Sequence, residues 1–314
     1  MSGSPSRASG SPGSVELNRR RIWVDTDPAL GFYQEGAPRD VDDAFVIVEA
    51  AQNEAVELCG VSTVFGNAPA DVGFSIASQL IDATGSRAPV AQGAAGPGDE
   101  RSGFPGNDAV LALAQALEEG PLSIAAIGPL TNIAALLELH PEHAQRIERV
   151  AIVAGRTAGR PFTLHGTSGV PDFNFESDPL ACRKLLESGV PVTLVGFELT
   201  SQVALTREHL LTLRGRSPVA DLLVDGALPW LEWWTNTFPG DPGFHPWDSA
   251  ALAALLRPEL FVHEPRGWRI TPHATGPPWL ELAPEWQGSH ALYCPGFTPG
   301  GAQRFIAGIL AGVP

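Results

Sequence analysis

Between Val24 and Ala44 the chain reads VDTDPALGFYQEGAPRDVDDA, with aspartates at positions 25, 27, 40, 42 and 43. Carboxylates repel one another, so crowding five of them just past the apolar run RIWV is unfavourable unless something positive sits among them. The chemistry this points to is cation binding. Oxygen is the only strong donor in the stretch, which contains no His or Cys, so zinc is disfavoured. A hard ion such as Ca²⁺, which takes six to eight oxygens at about 2.3–2.6 Å, is the natural match. Each half of the stretch also has an ordinary explanation. Acidic residues in a first helical turn favour the helix dipole by about 0.3–1 kcal/mol each, and DTDP can be a turn with Asx bonds. Neither explanation covers both halves. Asp25 and Asp27 end an expected strand, Asp42 and Asp43 open an expected helix, and if the loop between them folds back, four carboxylates converge.

Four further segments hold polar residues of chemical interest: STVFGN (62–67), AIGPLTNIA (126–134), VPDFNFESDP (170–179) and HPWDSAALAALLRPELF (245–261). Alone, each reads as local structure. GPLTNIA can be a Pro-started helix, Asn174 a turn residue and Asp248 a helix N-cap. The tryptophans of WLEWW (230–234) at three- and four-residue spacing suit a core face as well as an aromatic binding wall.

The elements that must position these residues follow from hydrophobic period. Short apolar, β-branched runs at 21–25, 58–65, 122–127, 149–155 and 191–196 predict buried parallel strands. Helix-period stretches at 41–52, 70–84, 107–118, 130–139 and 177–188 alternate with them. This alternation predicts an α/β fold, a single domain over 19–314 with a mostly parallel central sheet flanked by helices. Ligands of such sheets bind beyond the carboxyl ends of the strands, which is where the aspartates and the polar segments fall. Further helices are predicted at 217–237, from 248, and at 301–311. The stretch 265–300 is crowded with Gly and Pro and predicts no regular element.

Composition narrows the partners. The 314 residues carry a formal charge of −15 and have a pI near 4.9, and beyond the short run Arg19–Arg21 no cluster of Lys or Arg could replace counterions on phosphates, so nucleic acid is not an expected partner. One domain of this length buries roughly 75% of its unfolded surface. Cys59, Cys182 and Cys294 are odd in number and widely spaced, as suits a reducing compartment and no zinc site. Residues 1–18 are rich in Ser, Gly and Pro without an apolar centre, so they read as a disordered tail rather than a signal peptide. No apolar run approaches the ~18 residues of a membrane span. The expected location is the cytoplasm.

Taken in order, these segments resemble the inosine–uridine-preferring nucleoside hydrolases (nucleoside N-ribohydrolases). Asp25, Asp27 and Pro28 match the first half of that family's D-x-D-P-G-x-D-D-A signature, and Asp42, Asp43 and Ala44 match the second. About eleven extra residues, roughly Leu30–Asp40, interrupt it. The resemblance implies a Rossmann-like nucleoside hydrolase fold with Ca²⁺ held by Asp27, Asp43, the carbonyl of Ile127 and Asp248, completed by the ribose 2′- and 3′-hydroxyls and a water. It implies Asp27 as the general base, Asp42 on the 2′-hydroxyl, Asn174 on the 3′-hydroxyl, Asn67 facing the site, and Asp172 where a Glu normally meets the 5′-hydroxyl. Family members commonly form dimers or tetramers, and a homo-oligomer is expected here. The implied activity is hydrolysis of the N-glycosidic bond of ribonucleosides, in purine salvage or nucleoside catabolism.

Three departures bear on specificity. Trp247 stands where many members carry a His before the last metal Asp. An indole cannot donate a catalytic proton but can stack on a purine, as in the purine-preferring branch, with Trp234 and its neighbours Trp230 and Trp233 adding to the wall. His245 is then an alternative proton donor from two residues upstream. Asp172 is shorter than Glu, and Gly166 replaces a usual Asn, which together weaken the expected grip on the 5′ end. Two competing readings accompany this one. A haloacid dehalogenase-like phosphatase also begins with a strand and D-x-D, but it needs a Thr or Val where Ala29 stands and a catalytic Lys for which Lys184 is the sole candidate. A relative that binds nucleoside or ribose without turnover would keep the metal carboxylates and lack the His.

Overall fold

The computed structural model describes residues 19–164, 170–274 and 276–314. The expected tail over 1–18 and the substituted position Gly166 lie outside the described residues. Among those described, ten strands form the main sheet: β1 (Arg20–Thr26), β2 (Val56–Thr63), β3 (Val90–Gln92), β4 (Leu122–Ala126), β5 (Ile147–Ile152), β6 (Arg156–Thr157), β7 (Val192–Val195), β8 (Glu264–Thr271), β9 (Trp279–Ala283) and β10 (His290–Cys294). Their order is β3-β2-β1-β4-β5-β7-β10-β8-β9-β6. The pairings from β3 through β10 are parallel, those of β8 with β10 and β9 antiparallel.

The five predicted parallel strands are all present, with ends moved by one to three residues. Side chains alternate across a strand, and β1 shows why a nearly continuous apolar run is needed. Ile22 and Val24 enter the core on one face of the sheet, while Trp23 enters the core on the other. The Trp23 ring lies so close over Gly60 of β2 that a Cβ there would overlap it, and its Nε1 donates to Ser62 Oγ at 2.8 Å.

Of the helices, α1 (Asp42–Gln52), α2 (Ala70–Thr84), α3 (Asp108–Glu119) and α4 (Thr131–Leu139) fall where the period places them. The helix expected over 177–188 is α6 (Pro179–Glu187), preceded by a short helix α5 (Phe173–Ser177) that the period does not place. Proline cannot continue a helix but starts one well, and Asp178 caps α6 by accepting from Ala181 N at 2.9 Å. Later come α7 (Pro218–Thr237), α8 (Trp247–Leu256) and α9 (Gly301–Ala311). Strands β8, β9 and β10 occupy the Gly/Pro-rich stretch in which the sequence predicts nothing regular. Pro265 and Gly267 lie inside β8 and mask its alternation. No described helix is long and apolar enough to cross a membrane.

The order of strands fixes where a ligand goes. The chain runs outward from β1 to β2 and β3, then returns to lay β4 on the other side of β1, so the crossovers part at the carboxyl ends of β1 and β4. Such a switch point opens a crevice. Residues 25–27 and 127 stand at its edge.

Helices α1 and α8 both begin near this crevice, and an ion pair ties their far ends. Glu49, 2% exposed, accepts from Arg257 Nη2 at 2.7 Å, just past the end of α8. Burial outweighs Arg257 and pushes the Glu49 carboxyl up from 4.5 to about 7. The folded state therefore keeps a proton that the unfolded chain has already released, and this group makes stability fall as pH rises from 4.5 through about 7. Arg257→Met leaves the carboxylate without its cation. Urea denaturation at pH 8 is expected to show a loss of about 2 kcal/mol, the low side for a broken buried pair because Arg257 keeps some contact with water. The loss is smaller at pH 5, and equal losses at both values would contradict this account.

Candidate active site

The two halves of the aspartate stretch meet. After β1 the inserted residues turn outward as a small hairpin, in which Tyr33–Gln34 pairs with Ala37–Pro38, and the chain returns to start α1 at Asp42. The insertion leaves Asp42 and Asp43 at the end of β1. Asp43 Oδ1 accepts from Thr26 Oγ1 and from Asp27 N, the latter at 3.1 Å. Asp42 Oδ2 accepts from the backbone of Asp248 at 2.9 Å, tying the start of α1 to the first turn of α8 across 206 positions. Two helix N-termini, each with unsatisfied N–H groups, thus face one set of carboxylates.

The carboxylate oxygens of Asp42, Asp43 and Asp248 come within 4.8 Å of one another. Asp27 stands beside this trio, bonded to Asp43 through its backbone N, with Oδ2 accepting from Asn67 N at 2.7 Å. Its Oδ1, and Asp43 Oδ2, are buried with no hydrogen-bond partner. Gly66 and Gly128 let backbone press against the Asp27 carboxylate: a side chain at 66 would overlap Oδ2, and a Cβ at 128 would stand 3.0 Å from Oδ1. Burial, followed by repulsion from neighbouring carboxylates, holds Asp27, Asp42 and Asp248 well above the usual carboxylate range. Burial pushes Asp43 up to about 7 and Asp40 up to about 6. Two orphaned buried oxygens inside an all-oxygen donor set are what a hard divalent cation satisfies, so the residues fit such an ion. Asp25 takes another part. It sits in the sheet between Ser62 and Ala126, accepting from Ser62 Oγ and from Asn132 Nδ2, the latter at 2.8 Å. It joins the TNIA segment to β1 beneath the ring.

Above the ring opens a cavity of about 350 Å³. Of the residues singled out in the sequence, Asp42, Asn67, Ile127, Asp172, Asn174, Trp234, Trp247 and Asp248 line it. Asn174 Nδ2 donates to the Ile127 carbonyl at 2.9 Å. Asp172, 4% exposed, accepts from Gly155 N at 2.8 Å, and burial pushes it up to about 7 against the pull of Arg156. One wall is aromatic. Trp247 stacks on Phe197 at 5.3 Å and 18°, and Phe197 stacks on Phe162 at 4.5 Å and 13°. Trp230 and Trp234 belong both to this wall and to the core, so the two sequence readings of WLEWW hold together.

His245 is placed differently from the proton-donor expectation. It is 3% exposed and does not line the cavity. Its Nδ1 lies 2.6 Å from the Val203 carbonyl and its Nε2 3.3 Å from Asp241 Oδ2, while its ring packs on Trp234 and Trp247. It supports the wall from behind. Trp234 is held by the same carboxylate, donating from Nε1 to Asp241 Oδ2 at 2.9 Å. Lys184, the sole lysine, pairs with Glu138 at 2.8 Å outside the cavity, which removes the phosphatase reading.

Several cavity residues escape the sequence reading, among them Phe197, Phe162 and Arg39. Phe197 lies two residues past the end of β7, so the rule that ligands bind past strand ends could have found it. Phe162 lies in a segment with no periodicity. Arg39 stands in the insertion, where no motif marks it. Its guanidinium donates to Asn67 O at 3.2 Å and to Asn67 Oδ1 at 3.4 Å, and lies 5.7 Å from the Phe173 ring centre. The hairpin is thereby clamped to the residue that holds Asp27.

Comparison with known proteins agrees with this geometry. Residues 22–288 match the model of the inosine-uridine preferring nucleoside hydrolase family. A non-specific ribonucleoside hydrolase of Shigella boydii is 32% identical over 271 residues, covering 79% of this chain and 82% of that protein. A rice protein named "Probable uridine nucleosidase 1" is 28% identical over 274 residues, covering 79% and 80%. In fold, a purine-preferring ribonucleoside hydrolase of Gardnerella vaginalis superposes with a TM-score of 0.78 at 20% identity, covering 94% of this chain and 98% of that one. With an acidic ring at the switch point of a parallel sheet and this match over most of its length, the chain belongs to the inosine-uridine preferring nucleoside hydrolase family and is a nucleoside N-ribohydrolase.

Proposed function

We propose that the cavity hydrolyses ribonucleosides in a Ca²⁺-dependent reaction, with purine nucleosides preferred. The observation that carries this is the close trio of Asp42, Asp43 and Asp248 with Asp27 bonded beside it, two of whose buried oxygens have no partner among the described residues, set below an aromatic wall. Asp27, Asp43, Asp248 and the Ile127 carbonyl would hold the ion. Bound there, a divalent cation anchors vicinal hydroxyls and lowers the pKa of water. A donor set of carboxylates and a backbone carbonyl would suit Ca²⁺, which accepts more and more flexibly placed oxygens than Mg²⁺.

The chain's own residues then perform the rest. Asn67 N fixes one oxygen of Asp27, leaving Oδ1 to take the proton of the attacking water as general base. Asp42, tethered by Asp248 N, accepts from the 2′-hydroxyl. Asn174 spends its Nδ2 on the Ile127 carbonyl and offers Oδ1 to the 3′-hydroxyl. Cleaving the glycosidic bond leaves positive charge on the sugar, which the surrounding carboxylates favour. The face of Trp247 turned away from Phe197 takes the base by stacking, with Phe197 backing the indole and no side-chain acid assigned to the leaving group. The three free cysteines suit a cytoplasmic enzyme, and we take the working form to be a homodimer or homotetramer.

A nucleoside panel assayed with and without EDTA tests the reading. Purine ribonucleosides are expected to yield ribose and free base, chelation abolishes release, and Ca²⁺ restores it. Asp27→Asn should lower kcat by about a thousandfold, the scale of a lost general base. Calorimetric binding of nucleoside with no base released by the wild-type protein would show instead a relative that binds without turnover.

Stacking is worth about 1–3 kcal/mol per base. Trp247→Ala should therefore lower kcat/KM for inosine about tenfold, and lower that for uridine less. An unchanged inosine-to-uridine ratio argues against purine stacking at this wall. Asp172 is short, buried and already bonded to Gly155, so the 5′ end is weakly held. Inosine and 5′-deoxyinosine should be cleaved within about threefold of each other, since an unsatisfied hydrogen bond of a well-gripped hydroxyl costs more than about 1 kcal/mol. A hundredfold loss for the 5′-deoxy compound contradicts the weak grip.

A further inference from the structure

Among the described residues, a second set of metal-ligating side chains lies apart from the aspartate ring. His140, Glu142 and His143 stand where α4 ends and the chain enters the 3-10 turn Pro141–Arg146. Glu142 Oε1 is 3.6 Å from His140 Nδ1 and 3.9 Å from His143 Nε2, and one ligating atom from each residue lies within 4.8 Å of the others. These separations exceed hydrogen bonds. They come close to the edge of a tetrahedron around an ion with bonds of about 2.1 Å, which is about 3.4 Å. Along the two edges that Glu142 makes, the side chains need to close by at most about half an ångström.

The donor set and the surroundings select the ion. Two imidazoles and one carboxylate suit a borderline transition cation, in contrast to the all-oxygen ring. The backbone holds the geometry: His140 N donates to Leu136 O at 2.8 Å and His143 N to His140 O at 3.0 Å. His143 is 7% exposed and therefore fixed by packing, whereas the Glu142 side chain is 65% exposed and leaves room for water as the fourth ligand. The last carbonyls of α4 point toward this end and give it partial negative charge, which favours a cation.

We propose that His140, Glu142 and His143 form a structural site for a divalent transition ion of the Zn²⁺ class, separate from hydrolysis. The site clamps the end of α4 to the turn that follows. The first turn of the same helix carries Asn132, which holds Asp25 at 2.8 Å, and Thr131, which donates to Asp178 at 2.6 Å, so the clamp steadies a helix that supports the floor of the catalytic cavity.

Titration of the chelator-stripped full chain with Co²⁺, with excess Ca²⁺ present to fill the aspartate ring, tests this. One Co²⁺ per chain should bind with the visible bands of a four-coordinate nitrogen–oxygen site, and Zn²⁺ should displace it. His140→Ala and Glu142→Gln, both at accessible positions, should each weaken binding by about tenfold to a hundredfold, as even the loss of a ligand's supporting neighbour does. Both variants should retain wild-type circular dichroism and nucleoside hydrolysis. Asp43→Asn should leave the cobalt spectrum unchanged. Absence of a four-coordinate spectrum in the wild type, or wild-type cobalt affinity in His140→Ala, overturns the proposal. An effect of Asp43→Asn on the spectrum does so too, by placing the cobalt in the aspartate ring.

Discussion

The constraint on which this molecule turns is repulsion among carboxylates that cannot reach water. Asp27, Asp42, Asp43 and Asp248 are each no more than 5% exposed, and each raises the cost of charging its neighbours. A protein that gained nothing from this arrangement would place apolar groups there, since buried charges without opposite partners are strongly unfavourable. Among the described residues, no Lys or Arg pairs with Asp27, Asp42, Asp43 or Asp248. Instead the chain supplies backbone N–H groups from Asp27, Asn67 and Asp248, which fix single oxygens and leave others bare. The unfavourable charge is therefore stored in a fixed geometry that a small divalent ion relieves.

The rest of the fold exists to bring those groups together. Asp27 comes from the end of a strand, Asp42 and Asp43 from the start of the next helix, and Asp248 from a helix more than two hundred residues later. Because β1 lies at the point where the sheet order reverses, its end opens into a crevice. The Glu49–Arg257 pair and the Asp42–Asp248 bond hold α1 and α8 at both ends. The aromatic wall rises from α7, α8 and Phe197, two residues past β7. Its flatness and low polarity complement the charged floor: one half of the cavity suits a sugar diol and the other an unsaturated ring. That division of labour suits a glycosidic bond placed between them.

The insertion at 30–40 shows how an interrupted motif survives. A hairpin carries the additional residues out and back, so the backbone leaves at Pro28 and returns at Val41 with its two halves in register. Arg39 then ties the hairpin to Asn67. The guanidinium is anchored on the neutral amide of Asn67, and its charge also favours the ionised form of the adjacent Asp40. His245 illustrates the reverse. Its type suggested acid–base chemistry, but a buried imidazole with two fixed acceptors packs as a strut.

What the sequence by itself determined were the elements whose signal is local. Apolar runs at 21–25, 122–127 and 191–196 specify buried strands because both faces are covered, and the helices between them show their period. Asp27, Asp43, Asn174 and Asp248 were visible because side-chain type and ordered spacing survive in one dimension. Only the tertiary structure decided the remainder. Strands β8 to β10 are held by neighbours already in place, so Pro265 and Gly267 could sit within them without an alternating pattern. Arg39 and Phe162 gained their places from a hairpin and a loop whose paths depend on contacts with distant elements, and His245 lost its candidacy to groups supplied by Val203 and Asp241. Distance along the chain carries no record of such contacts, because the energy that fixes them arises only once the sheet has closed around them.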